Sequence, residues 1–339
     1  MSADTIIAET PMGLYLQDKH PIRDGVKYAI LAEESGFEQL WQAESRLARE
    51  ATIPLAAMAQ MTNKIKLGTG VSAIWTRNIG LLGATYSTLN ELAPGRIFAG
   101  LGAWWEPLAS KVGVKRVKPL RAMREYVTTL QKLFAQTGPV TFQGEFINVD
   151  GIELDIVHGE RKALPIPVYI GATGDKMMEL TGKIADGVLL NYLVSPQYNK
   201  KAMGLLEKGL ATRGKTLADF DRPQLVVVSL DEDADVAIRG AKELVTQYLG
   251  QQPHIGKASG VSQDLLDEVG KILTWPATHA DVEKAMEIVP DEVVQLVAAA
   301  GTADDCKTKV AEFIRDGCTC PIMYPLADDP AKMIKAFAK

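Results

Sequence analysis

Short apolar runs alternate with amphipathic stretches along this chain, and the pair recurs eight times. The runs fall at residues 12–16, 37–43, 64–70, 96–102, 167–171, 187–191, 224–229 and 320–324. Between and after them, helical spacing marks 24–35, 51–61, 81–92, 121–134, 176–185, 197–213, 234–249, a stretch from Thr302 to about 314, and a closing one at 331–338. In the first helix Val26, Ala29, Ile30 and Ala32 recur on one face, and Gly36 marks its stop. Thr302 is placed to cap the helix it opens. Eight strand-helix steps predict an α/β fold, a closed (β/α)8 TIM barrel rather than an open doubly wound sheet. One barrel domain over 1–339 accommodates the length, with insertions near 103–117, 137–160 and 251–295. The second insertion reads as a hairpin at 139–154, and the third as polar and helical.

Composition narrows the function. Hydrophobic residues make up 47% and charged residues 23%, enough apolar material for a large core. The net charge of -5 carries no basic stripe, so nucleic acid is not an expected partner. An anionic cofactor needs local donors instead. No apolar run is long enough to span a membrane, and the first ten residues lack the pattern of a secretory signal, so a cytoplasmic location is expected. Cys306, Cys318 and Cys320 are too few for a disulfide framework and read as reduced thiols. His20, His158, His254 and His279 show no metal-ligand spacing, so no metal site is expected. Neither a nucleophile elbow nor a Walker loop is present.

In such barrels the chemistry sits at the C-terminal ends of the strands. That rule selects Tyr15 and Gln17, Glu44 to Arg46, Gly70 to Arg77, Gly102 to Glu106, Gly171 to Gly174, and Asn191 with Tyr192. Gly171, Ala172, Thr173 and Gly174 leave the fifth strand and open a helix. Small residues, a hydroxyl and a helix N-terminus suit a phosphate, although a tight turn explains the same residues. Gly68, Thr69 and Gly70 let a flat ligand approach the backbone, with Trp75 as a wall and Arg77 for an anion. Rim packing is the alternative. Glu44 is placed either to handle a proton or bind polar ring atoms, or to form a rim salt bridge with Arg46 or Arg49. Trp104 and Trp105, adjacent after Gly102, line a pocket or a subunit interface.

Taken together, residues 36–41 (GFEQLW), 64–71 (KIKLGTGV), 76–77 (TR), 94–96 (PGR), 165–172 (PIPVYIGA), 184–187 (IADG) and 301–304 (GTAD) resemble the luciferase-like monooxygenase superfamily. Within it the likeness is greatest to the deazaflavin branch that uses coenzyme F420, especially methylenetetrahydromethanopterin reductases. The resemblance covers nearly the whole chain. It implies a non-proline cis peptide at Gly70–Val71 behind the tricyclic ring. It also implies a phosphate loop at Gly171–Gly174, a place for Asn191 along the cofactor tail, and Ala103 and Trp104 near the ring. Glu44, Thr69, Gly70, Val71, Ala103, Gly171, Ala172, Thr173, Gly174 and Asn191 are thus the cofactor candidates. Glu44, Trp75 and Trp104 are the catalytic candidates, and Tyr15, Gln17, Arg46 and Arg77 the substrate contacts.

The chain departs from the family at three points. Glu44 and Ser45 stand where many deazaflavin members carry an Asp-His pair. Tyr15 stands about where some reductases carry a glutamate, and Ala103 about where a related sugar-phosphate dehydrogenase has its catalytic glutamate, with Glu106 close by. Hydride transfer needs positioning more than an acid, so the expectation is an F420-dependent oxidoreductase acting on a small organic substrate. The alternatives are an FMN-dependent two-component monooxygenase, a cofactor-binding barrel without turnover, and a flavin-free folate-type reductase. Relatives of this kind are homodimers or higher assemblies, and the leucine-rich stretch at 81–92 is consistent with that.

Overall fold

The computed structural model describes residues 1–339 except Ser45, Trp275 and Pro276. The chain opens with α1 (Ala3–Glu9), β1 (Gly13–Leu16), α2 (Ile22–Glu34), β2 (Gln39–Gln42), α3 (Thr52–Met61) and β3 (Lys66–Thr69). Next come β4 (Ser72–Ala73), α4 (Ile79–Leu92), β5 (Ile97–Gly102), α5 (Leu108–Lys111) and α6 (Pro119–Ala135). The hairpin β6 (Val140–Gln143) and β7 (Asn148–Ile152) precedes β8 (Val168–Ala172), α7 (Asp175–Ile184), β9 (Gly187–Leu190), α8 (Pro196–Ala211) and β10 (Pro223–Leu230). The last third holds α9 (Ala234–Gln251), α10 (Pro253–Ala258), α11 (Gln263–Ile272), α12 (His279–Met286) and α13 (Asp291–Val297). It ends with β11 (Ala299–Gly301), α14 (Ala303–Arg315), β12 (Cys320–Pro325) and α15 (Pro330–Ala336).

Eight of these strands pair in parallel in the order β1, β2, β3, β5, β8, β9, β10, β12 and back to β1, which closes the (β/α)8 barrel. Strands buried on both faces have no polar side to show, which is why β10 reads Pro-Gln-Leu-Val-Val-Val-Ser-Leu. Inside the barrel Trp41, Phe98 and Tyr169 stack with ring centroids 5.1 to 5.5 Å apart. The second apolar layer lies between strands and helices and includes Leu14, Leu67, Tyr86, Val168 and Phe313.

Two short strands go beyond the expected eight. β4 pairs with the end of β5 through Ser72–Leu101 and Ala73–Gly102, and β11 pairs with the end of β10. Both thicken the C-terminal rim, where the site was expected. Helix α1 and the four-residue α5 were not foreseen; α1 buries only Ile6 and Ile7, too little to stand out as a stripe. Thr302 does cap α14, in a capping box with Asp305, and Gly36 ends α2 at a φ of 83°. The hairpin is antiparallel with Val140 opposite Ile152. The third insertion holds α10 to α13, and Trp275 and Pro276 within it lie outside the described residues. All three cysteines are free and buried, and burial pushes the Cys306 and Cys318 thiols up to about 12.

Helix α3 is apolar on every side, so its outer face exposes Ile53 (67%) and Met61. The neighbouring α4 exposes Leu81 (69%). Among the described residues no helix is long and apolar enough to cross a membrane.

Candidate functional site

The mouth of the barrel is built around Val71. Its peptide bond from Gly70 is cis, as the resemblance implies. The Val71 side chain fills the space left by two glycines: a Cβ at Gly102 would overlap Val71 Cγ2, and one at Gly171 would meet Val71 at 3.2 Å. The segment is held from both sides. The Tyr15 hydroxyl donates to the Gly70 carbonyl at 3.1 Å. Thr69 Oγ1 lies 2.7 Å from the Tyr86 hydroxyl and donates to the Gly100 carbonyl at 2.7 Å. Burial pushes the Tyr86 phenol up to about 12.

Beside it, Glu44 and Arg77 form a bidentate pair at 2.8 and 2.6 Å, and the Ala73 N–H donates to Glu44 Oε1 at 3.2 Å. Arg77 Nη2 also donates to Glu50 at 2.5 Å. The pair is largely withdrawn from water, with the side chains of Arg77 and Glu44 only 19% and 14% exposed. Hydrogen bonding to Glu44 raises the Arg77 pKa above its ordinary value, so the guanidinium stays charged. Burial raises the Glu50 carboxyl, but hydrogen bonds from Ile53, Thr52 and the nearby Arg77 charge outweigh it and hold it below the usual range. These contacts revise two expectations. Glu44 does form a salt bridge, but with Arg77 rather than Arg46 or Arg49. Arg77 is committed to two carboxylates and is not free for a substrate anion.

Arg46 pairs instead with Asp18, at the end of the β1 loop. Below that pair lies a cluster of phenols. Tyr15 and Tyr324 meet edge to face with centroids 5.2 Å apart, Tyr192 and Tyr324 at 6.3 Å, and Tyr192 and Tyr248 at 4.9 Å. The Tyr324 hydroxyl donates to Gln17 Oε1 at 2.6 Å. Burial pushes Tyr192 up to about 12, and raises Tyr15 and Tyr324 as well. These phenols are neutral at physiological pH and act as hydrogen-bonding walls.

On the opposite side the Trp75 indole N–H donates to the Ala103 carbonyl at 2.8 Å, and Arg116 Nε donates to the same oxygen at 2.7 Å. Trp75 also packs edge to face on Phe146 of the hairpin, 5.8 Å between centroids. Trp104 follows with a left-handed φ of 56°, and Trp104 and Trp105 are both half-buried.

The loop after β8 meets α7 at Gly174, and no side chain caps that helix. Its first N–H groups therefore face outward from a ten-residue helix. Thr173 and Gly174 are exposed, Ala172 is buried, and the Tyr198 hydroxyl fixes the loop by donating to the Thr173 carbonyl at 2.6 Å. Asn191 Nδ2 donates to the Tyr248 hydroxyl at 2.6 Å, so its amide braces the mouth. Gly171 packs close to Val71, so the cis-peptide segment and the loop that opens α7 are contiguous. The uncapped N–H groups at the start of α7 would suit an oxyanion.

The expected site residues thus fall into one mouth with three walls: Thr69, Gly70 and Val71 with Glu44 and Arg77; Tyr15, Gln17 and Arg46; and Trp75, Ala103 and Trp104. The cradle of Gly171 to Gly174 and Asn191 completes it. Asp18, Tyr324, Tyr86, Tyr198 and Tyr248 were not selected from sequence. Asp18 and Tyr324 sit at strand ends, so the same rim rule reaches them. Tyr86, Tyr198 and Tyr248 come from α4, α8 and α9, and no local signal marks them. Ser45, the residue in place of a histidine, lies outside the described residues.

The family model for luciferase-like monooxygenases matches residues 5–320. The chain is 31% identical over 315 residues, 92% of each chain, to 5,10-methylenetetrahydromethanopterin reductase of Archaeoglobus fulgidus. Among solved structures, coenzyme F420-dependent tetrahydromethanopterin reductase from Methanopyrus kandleri superposes with a TM-score of 0.85 at 24% identity, covering 97% of both chains. An F420-dependent secondary alcohol dehydrogenase in complex with an F420–acetone adduct superposes with a TM-score of 0.78 at 19% identity, again over 97% of both.

Proposed function

Because the chain belongs to the luciferase-like monooxygenase family, we propose that it is a coenzyme F420-dependent oxidoreductase acting on a small organic substrate. The observation that carries this reading is the 31% identity, over 92% of both chains, to a 5,10-methylenetetrahydromethanopterin reductase. The contiguous ring seat and anion cradle support it. When bound, the deazaflavin supplies a carbon that gives or takes a hydride.

The chain's own residues position the partners. Thr69, Gly70, Val71 and Ala103 form the seat for the ring, and Gly171 to Gly174 hold the phosphate with backbone N–H groups. Asn191 lies along the tail. Glu44 and Arg77 act as positioning residues: the pair braces the Ala73 backbone beside the seat and handles no proton. Trp75 and Trp104 wall the ring side, and Tyr15, Gln17 and Arg46 border the substrate side. With neutral phenols around it, the mouth aligns reactants and excludes water rather than offering an acid.

The exposed Ile53, Met61 and Leu81 on adjacent helices suit a second copy of this chain, which makes a homodimer the proposed assembly. A cytoplasmic location fits the reduced, buried thiols.

The test is turnover without oxygen. Under anaerobic conditions, reduced F420 and a panel of carbonyl, imine and pterin substrates are expected to give substrate-dependent reoxidation. Activity that appears only with reduced FMN and oxygen would establish the monooxygenase alternative instead.

A further inference from the structure

Glu125 lies on the inner, apolar face of α6, among Ala122, Met123, Tyr126 and Val127. Its side chain is 6% exposed. A carboxylate in such a place is costly unless it is fully hydrogen-bonded. Its oxygens accept three successive backbone N–H groups, from Glu145 at 3.1 Å, Phe146 at 2.7 Å and Ile147 at 3.1 Å. Arg121 Nε adds a fourth donor at 3.2 Å. These three amides form the tip of the β6–β7 hairpin, between the last residue of one strand and the first of the next. Such a run of N–H groups is an anion nest, and Glu125 is its anion. Gly144 gives the carboxylate room, since a Cβ there would overlap Glu125 Oε2.

The pinned tip has one consequence for the mouth. It places the Phe146 ring against Trp75, and Trp75 in turn holds the Ala103 carbonyl. The next residue on α6, Tyr126, donates to the Arg77 carbonyl at 3.2 Å and so fixes the other end of the same loop. We propose that Glu125, outside the site, is a positioning residue for it: by pinning the hairpin tip it sets the Phe146–Trp75–Ala103 wall, and with it ligand affinity rather than the rate of hydride transfer. The affinity part rests on the functional reading above; the wall itself does not.

Two variants of the full-length protein separate the links. Glu125→Gln removes the charge that gathers the three amides. Phe146→Ala leaves those backbone bonds intact and removes only the ring. Amide exchange at residues 145–147, followed by mass spectrometry, is expected to rise about tenfold or more in Glu125→Gln and to stay at the wild-type rate in Phe146→Ala. Trp75 emission, taken as the difference from matched Trp75→Phe proteins, is expected to shift to longer wavelength in both. With ligand, both are expected to raise the Kd for F420 or the KM for substrate about three- to tenfold, with kcat within about twofold. Unchanged Trp75 emission in Phe146→Ala overturns the proposal, even if Glu125→Gln fails to fold. So does faster tip exchange in Glu125→Gln with Trp75 emission unmoved. If the wild-type protein fails to bind F420, the functional reading falls, while the emission measurement still decides the clamp.

Discussion

Both terminal nitrogens of Arg77 reach the carboxylate of Glu44, at 2.8 and 2.6 Å, joining the loops after β2 and β4 at the rim. The pair is mostly buried, and Glu50 shares the same guanidinium. Arg77→Lys keeps the charge but loses the fork that serves two carboxylates. We expect a loss of about 1–3 kcal/mol in urea unfolding and weaker F420 binding, because Glu44 is left half-paired beside the seat. A variant as stable as wild type would show that the pair braces nothing.

The Tyr15 hydroxyl, at the mouth end of β1, donates to the Gly70 carbonyl. That bond ties the barrel interior to the Gly70–Val71 segment. Tyr15→Phe is therefore expected to lower kcat by less than about tenfold, the scale of one lost hydrogen bond. With burial raising the Tyr15 and Tyr324 phenols and Tyr192 at about 12, kcat is expected to be flat with pH between about 6 and 9. A loss of a thousandfold or a steep pH limb in that window would make Tyr15 a proton donor.

The Glu125 clamp has an acid limit. Burial raises its carboxyl, but the N–H groups of Phe146, Glu145 and Ile147 together with Arg121 outweigh that and hold its pKa below the usual value. Lys118, Arg121 and Glu145 are the charged groups around it. A depressed folded pKa means a contribution that is complete above about pH 5 and lost as pH falls through the folded value. The stability gap between wild type and Glu125→Gln should thus be widest near neutrality and shrink in acid. Thermal unfolding of both proteins from pH 7 to 3 measures it, and a gap that grows in acid contradicts this sign.

The apolar outer face of α3 and α4 yields a test of assembly. Ile53→Asp together with Leu81→Asp is expected to leave the barrel folded and turn a dimer into a monomer by light scattering, since both side chains are exposed in the single chain. An unchanged mass would place the interface elsewhere.

The barrel was legible because its strands are buried on both faces. Residues 225–228 and 320–323 are apolar without interruption, and the helices between strands, α3 excepted, keep their stripes. What sequence did not show depends on neighbours in space. Glu44 faced a choice of three arginines. The nearer two in sequence lost: Arg46 turned to Asp18, and Arg49 donates to the His20 carbonyl. Arg77, 33 residues away, won because β2 and β3 run side by side, with Gln42 opposite Thr69. Glu125 was hidden for the same reason. It reads as a polar break in the apolar stripe of α6 until the hairpin tip is laid against it. The rim strands β4 and β11, two and three residues long, are too short for any period to declare itself.

The most direct measurement is a titration of the purified protein with oxidised F420 and, separately, with FMN, followed by absorbance and fluorescence. The account predicts tight, saturable binding of F420 and FMN binding weaker by about a hundredfold or more. Tight FMN binding with none of F420 would contradict it, and would turn the same mouth over to oxygen chemistry.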